Sequence, residues 1–186
     1  MVTYYLIRHG EADYSKVEEF NLYGFGRDFA PLTLNGIKQV EDTAKDPRLK
    51  SAEIIISSPY TRALQTAQII SKNTGIKVQV EIGLHEWIPD LTNQYNTSEE
   101  AFQLTREFNQ YLGVYPENQK MKWECLSDMR ARMKKIADKY TDYNNVIIVS
   151  HGMALRTLAY IEKMKPAEII EIQYYKGQKD CNYSFY

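Results

Sequence analysis

The sequence predicts an α/β fold: a three-layer α/β/α sandwich on a mostly parallel sheet, with an antiparallel edge and a small cap insertion. Three observations predict it. Ile54-Ile55-Ile56 and Val146-Ile147-Ile148-Val149 are short, unbroken, β-branched runs, which suit strands buried on both faces of a parallel sheet. Segments with apolar residues three and four apart separate these runs, as crossover helices require. Near the end of the chain, Ile169 to Tyr174 and Cys181 to Tyr186 read as two strands that Gly177 could turn into a hairpin.

The first strand is Val2 to Ile7. Thr33 can cap a helix whose apolar positions are Ile37, Val40 and Ala44. Ser58-Pro59 reads as an N-cap followed by proline at the first helical position, and that helix carries Ala63, Ala67 and Ile70 to a stop at Gly75. Ile76 to Ile82 alternates apolar and polar residues, as a strand near an edge does. Met129, Met133, Ile136 and Tyr140 mark a further helical face, and the helix after Gly152 uses Leu155, Leu158 and Ile161. Two stretches break the rhythm. Tyr14 to Pro31 is long, aromatic and glycine-bearing, and Trp87 to Trp123 holds a helix around Ser98 to Leu112 between irregular flanks. Both are expected to form loops or a cap over a site. The whole chain, 1–186, is thus expected to be one domain with insertions near 14–31 and 87–123.

Composition narrows the class of function. Of 186 residues, 44% are hydrophobic and 25% charged, and the formal net charge is -1. That balance suits a soluble globule and argues against a nucleic-acid partner. No apolar run approaches the ~20 residues that span a bilayer, so no membrane association is expected. Cys125 and Cys181 form no CxxC pair and read as reduced thiols of a cytoplasmic protein. No signal peptide is expected, because the chain opens directly on a strand. Nothing in the sequence addresses oligomeric state.

Ligands of open α/β sheets bind beyond the carboxyl ends of the strands. The residues that follow the strands are Arg8-His9-Gly10-Glu11, then Ser57-Ser58-Pro59-Tyr60-Thr61-Arg62, then Leu84-His85-Glu86, then Ser150-His151-Gly152. Two arginines, two histidines and a carboxylate would converge at one edge. A phosphate monoester is nearly a dianion at neutral pH, and the planar fork of arginine matches it. Neutral imidazole is a nucleophile that needs no separate base, and an alkoxide leaves readily only when protonated. Gly10 and Gly152 would let backbone approach the ligand. Taken alone, Arg62 reads as a surface helix residue and His151 as a satisfied histidine near a helix start. Their joint placement at strand ends is what points to phosphoryl transfer.

These motifs, together with Leu32-Thr33-Leu34-Asn35-Gly36-Ile37-Lys38-Gln39, Ala63-Leu64-Gln65-Thr66-Ala67, Trp123-Glu124 and Asn182-Tyr183-Ser184, resemble the histidine phosphatase superfamily, often called phosphoglycerate-mutase-like. The resemblance runs through nearly the whole chain. It implies that His9 attacks phosphorus, that Arg8, Arg62 and His151 hold the phosphate oxygens, and that Glu86 protonates the leaving oxygen. It implies no metal and no cofactor. Gly10, Ser15 and Gly152 are expected on the substrate. The chain departs from the family pattern at Ala12 and Ser15, where Ser or Thr and Asn are frequent. His85 is expected to be structural, and the aromatic stretch Phe20, Tyr23, Phe25, Phe29 to be packing, with closure of this loop and Arg27 over the substrate as the minority reading.

The expected function is phosphomonoester hydrolysis of a small phosphorylated substrate through a phosphohistidine on His9. The alternative is phosphoglycerate-mutase-type transfer, disfavoured by the short chain and the missing residues after His9. A non-catalytic phospholigand-binding module is a third reading, against which stands the presence of His9 and both arginines.

Overall fold

The computed structural model describes residues 1–22, 24–95 and 97–185. Its strands are β1 (Val2–Arg8), β2 (Ile54–Ser57), β3 (Val78–Val80), β4 (Asn145–Ser150) and β5 (Ile169–Tyr174). Its helices are α1 (Ser15–Glu19), α2 (Leu34–Thr43), α3 (Thr61–Thr74), α4 (Ser98–Gln110), α5 (Leu126–Lys139) and α6 (Gly152–Leu155). The strands form one sheet in the order β3-β2-β4-β1-β5, parallel except for β5, which pairs antiparallel with β1 at the edge. The predicted fold class is the observed one.

Hydrophobic burial holds helices on both faces. Tyr4, Leu6, Ile56, Val146 and Ile148 pack on one side with Met133 and Ala137 of α5 and Ala154 and Leu155 of α6. The alternate residues Tyr5, Ile7, Ile55, Ile147 and Val149 pack on the other with Val40 of α2 and Ala63, Ala67 and Ile70 of α3. A third, aromatic cluster joins Trp87, Phe108, Trp123, Leu126 and Tyr183 beside the sheet. Thr33 caps α2 by accepting the Gly36 N–H at 2.8 Å, and Gly75 ends α3 at φ 76°, both as expected.

Four local expectations need correction. Helix α3 begins at Thr61 rather than after Ser58, because Tyr60 is extended and the Ser58 hydroxyl bonds elsewhere. The helix after Gly152 lasts one turn. Beyond it Thr157 and Leu158 bond three residues back, to Ala154 and Leu155, and tighten the chain. Leu158 and Ile161 are nonetheless buried in the core. The Ile76 to Ile82 strand shortens to Val78–Val80, with Ile82 in a 3-10 turn. Residues 181–185 are not a strand. Tyr183 and Phe185 pack on Phe108 instead, so no hairpin follows Gly177. Tyr23 and Tyr186 lie outside the described residues.

Candidate active site

The parallel register aligns the carboxyl ends of three strands, with Arg8 opposite Ser150 and Ser57 opposite Val149. His9 and His151 each follow their strand by one residue, and their rings meet edge to face with centroids 5.0 Å apart. Arg62, in the first turn of α3, brings its Nε to 3.3 Å from Nε2 of His9. A cavity of about 870 Å³ is lined by Arg8, Glu86, Gly152, Met153 and Lys163, among others. A second cavity, of about 310 Å³, is lined by Arg62, Glu86, Arg27 and Asp28 among others. Glu86 stands on the wall of both. The structure therefore gathers His9, Arg8, Arg62, His151, Glu86 and Gly152 at one edge of the sheet.

The local fold fixes the His9 imidazole in one tautomer. Its Nδ1 lies 2.6 Å from the Gly10 carbonyl oxygen, which can only accept, so Nδ1 carries the proton and Nε2 keeps its lone pair. Burial, then the Arg62 guanidinium, lowers the His9 pKa to about 3 against the opposing Gly10 carbonyl. The ring is therefore neutral at ordinary pH. The turn itself is clamped. Gly10 donates its N–H to Thr66 Oγ1 (3.2 Å), and Ala167, at φ 58°, gives its N–H to the carbonyls of Arg8 and His9. A Cβ on Gly10 would lie 2.7 Å from the Gly36 carbonyl oxygen, so the glycine lets the turn pack on α2. The Glu11 carboxylate ties the same helix down by accepting from Thr33 and Asn35.

His151 is fully buried, and burial and the charge of Arg62 push it well below its ordinary pKa. Its Nε2 lies 2.7 Å from the Ser58 hydroxyl, which itself accepts the Tyr60 N–H at 3.3 Å. When the Ser58 hydroxyl donates to His151 Nε2, the imidazole proton stands on Nδ1. That Nδ1 is buried without a hydrogen-bond partner, as are Nε of Arg8 and Nη1 of Arg62. Each such orphan costs about 1–3 kcal/mol, so three around one imidazole are more than a packed core ordinarily keeps. Arg8 is held from behind by Nη1 donating to the Met164 carbonyl at 2.6 Å.

Glu86 sits at the start of α6. Its carboxylate accepts the N–H groups of Met153 (3.2 Å), Ala154 (3.0 Å) and its neighbour Trp87 (2.8 Å). Oε1 takes two of these bonds and Oε2 one, so Oε2 retains a lone pair for chemistry. The loop bearing Glu86 is held by Arg132 of α5. This arginine pairs with Glu124 through Nε–Oε1 (2.6 Å) and Nη2–Oε2 (2.9 Å) and donates to the carbonyls of Gly83, His85 and Glu86. Glu124 also accepts the indole N–H of Trp87 on its carbonyl. His85 turns its Nδ1 to the Glu86 carbonyl at 2.7 Å, a structural bond.

Sequence reasoning passed over the roles of Ser58, Arg132 and Asp28. Ser58 carried a capping signal that hid its bond to His151. Arg132 sits among Arg130, Lys134 and Lys135 on a helix that reads as a solvated face. Asp28 lies beside Arg27 in the 3-10 segment Gly24–Phe29, and burial raises its pKa to about 6 although Arg62 and Tyr60 oppose that. Ser15 is exposed, opens α1, donates its amide to Asp13 and lines neither cavity. Among the described residues no cluster of three His, Cys, Asp or Glu is placed to hold a metal, and no helix is long and apolar enough to cross a membrane.

Comparison with known proteins agrees with this geometry. The sequence model of the histidine phosphatase superfamily (branch 1) matches residues 4–180. A probable phosphoglycerate mutase GpmB of Proteus mirabilis is 31% identical over 165 residues, covering 85% of this chain and 73% of that protein. An uncharacterized phosphatase PhoE of Bacillus subtilis is 27% identical over 154 residues, covering 82% and 73%. Among solved structures, Bacillus stearothermophilus YhfR superposes with a TM-score of 0.71 at 23% identity, over 100% of this chain and 95% of that one. A mycobacterial glucosyl-3-phosphoglycerate phosphatase gives 0.69 at 20%, over 93% and 90%. Both superpositions establish the fold. With its matching sequence model, its sheet order and its paired histidines at the strand ends, this chain belongs to the histidine phosphatase superfamily.

Proposed function

We propose that the protein hydrolyses phosphate monoesters through a phosphohistidine on His9. One observation carries the reading: three buried nitrogens, Arg8 Nε, Arg62 Nη1 and His151 Nδ1, have no hydrogen-bond partner, and they belong to the residues grouped around a neutral imidazole whose Nδ1 is pinned. A phosphoryl group bound there accepts from all three. His9 Nε2 then attacks phosphorus while the bond to the ester oxygen breaks. The arginines neutralise charge as it gathers on the equatorial oxygens. Glu86 delivers a proton to the departing alkoxide. In the second half, Glu86 takes a proton from water as that water attacks the phosphohistidine. Inorganic phosphate leaves, and His9 and Glu86 return to their starting states. Glu86 enters as the acid, lends its proton in the first half and recovers one from water in the second, so the net reaction is ester plus water to alcohol plus phosphate.

The segments 14–31 and 87–123 act on this reading as the cap of a single domain, with Arg27, Asp28 and Phe102 over the site. The substrate is a small phosphorylated molecule. Two free thiols, Cys125 and Cys181, support a reducing compartment, the cytoplasm, as the place of action. The 31% identity to a probable phosphoglycerate mutase favours a second reading, transfer of phosphate within a sugar acid. Incubation with 3-phosphoglycerate separates the two, because hydrolysis yields free phosphate and a mutase yields 2-phosphoglycerate. The test of the main reading is phosphate release over a broad ester panel beside His9→Ala. Release by the wild type and its loss in the variant are expected, and wild-type turnover by the variant would refute the mechanism.

A further inference from the structure

The smaller cavity has walls that the chemistry at His9 does not use. Tyr14, Phe25, Trp87, Tyr95 and Phe102 line it, and its polar end is Asp28, beside Arg62. The aromatic groups are organised rather than scattered. The Arg62 guanidinium lies over the Tyr60 ring at 5.0 Å and faces Tyr14 at 6.0 Å, and Tyr60 meets His151 edge to face at 5.0 Å. One continuous aromatic and cationic wall thus leads from the phosphate residues into the cavity. Loop and cap are joined at its far side, where Gly24 and Tyr95 exchange bonds at 3.3 Å through Gly24 N–H and the Tyr95 hydroxyl.

We propose that this cavity is the leaving-group subsite, and that it takes a ring-bearing alcohol with hydrogen-bond donors and no carboxylate, of nucleoside or sugar type. The inference rests on the phosphatase reading of His9 and names the substrate class of that same site. Aromatic walls offer flat faces to a ring, by stacking or by contact with its C–H face. At about 310 Å³ the cavity is at the small end of ligand pockets and suits a leaving group of one or two small rings. The Asp28 carboxylate faces the Tyr60 ring and the Arg62 guanidinium in the same lining, and its oxygens are acceptors for ring hydroxyl or amine donors. A second anion on the substrate meets the Asp28 carboxylate in the same lining. The cavity's cation beyond Arg62 is Arg27, which lies 4.9 Å over the Tyr14 ring and donates to Ser98 Oγ at 2.8 Å. Arg27 also stands close enough to Asp28 to offset its charge, so it does not present a free fork to a carboxylate.

Three esters test this: uridine 5′-monophosphate (ring with donors), phenyl phosphate (ring without donors) and 3-phosphoglycerate (a carboxylate and no ring). The wild type is expected to favour uridine 5′-monophosphate over 3-phosphoglycerate by about tenfold or more in kcat/KM. Asp28→Asn is expected to lower the ratio of uridine 5′-monophosphate to phenyl phosphate by about tenfold, mainly through KM, the loss of one charge-assisted bond. The same variant should raise 3-phosphoglycerate relative to phenyl phosphate. Because each readout is a ratio within one protein, a general loss of fold cancels. A wild-type preference for 3-phosphoglycerate, or ratios untouched by Asp28→Asn, would overturn the inference. If no ester is turned over, the hydrolase reading fails instead. The dissociation constants of uridine 5′-monophosphate and 3-phosphoglycerate, measured by calorimetry, then decide the subsite by the same tenfold criterion.

Discussion

Nε of Arg62 donates to Nε2 of His9 across 3.3 Å, while Nη1 of the same guanidinium is buried without a partner. One cation therefore touches the proposed nucleophilic nitrogen and has a free donor for a phosphate oxygen in the proposed mechanism. Lysine keeps the charge but cannot hold both contacts. Arg62→Lys is expected to lower kcat by roughly 10²–10³. Steady-state kinetics on a single ester checks this, and a loss below about tenfold would mean the fork is not needed.

In the proposed mechanism Glu86 acts on the leaving group, so its removal should be felt according to how much help that group needs. Glu86→Gln is expected to lose roughly 10²–10⁴ in kcat with an alkyl phosphate. With p-nitrophenyl phosphate, whose phenolate leaves unaided, the loss should be far smaller. Equal losses on both esters would remove Glu86 from the proton transfer.

Arg132 positions Glu86 without touching substrate. Its pair with Glu124 is buried, with side-chain exposures of 15% and 7%. Arg132→Met leaves Glu124 unpaired and should cost about 3–5 kcal/mol in denaturant unfolding. The milder Glu124→Gln keeps part of the bonding. Its remaining activity should show the leaving-group bias of Glu86→Gln, because a displaced acid fails first on poor leaving groups. A uniform loss on all esters would reduce the pair to a purely structural role.

Acid should weaken the fold through its histidines. His9 is held neutral down to about pH 3 and His151 well below its ordinary value, whereas in the unfolded chain each binds a proton near 6.5. The unfolded state then carries more protons, so stability falls as pH drops below about 6.5. Asp28 works the other way. Its folded pKa of about 6 exceeds the ordinary 3.8, so it gains stability as pH falls through that range and offsets part of one histidine. The melting temperature should fall from pH 7 to pH 5, and His9→Gln should make the fall shallower. A flat profile, or an unchanged slope in the variant, would contradict the buried neutral histidines.

The sheet and the gathering of His9, Arg8, Arg62 and His151 were legible because each depends on local pattern: a buried apolar run, then a charged residue at its end. What escaped depends on tertiary partners. Ser58 looked like a cap, yet its hydroxyl serves His151. The turn at Gly152 was expected to bring backbone close to the ligand, and the Met153 and Ala154 amides beside it bond the Glu86 carboxylate. Tyr183 and Phe185 alternate like a strand but find a better burial site on Phe108 and Trp123 than at the edge beyond β5. Arg132 carries a charge that periodicity alone assigns to solvent, and only the fold shows Glu124 and three carbonyls around it.

The most direct test of the account is rapid-quench trapping with a ³²P-labelled ester, followed by mapping of the labelled peptide. The account predicts label that survives alkali, is lost in acid, maps to His9 and is absent from His9→Ala. Turnover with no phosphoenzyme on His9, or label on another residue, would contradict it.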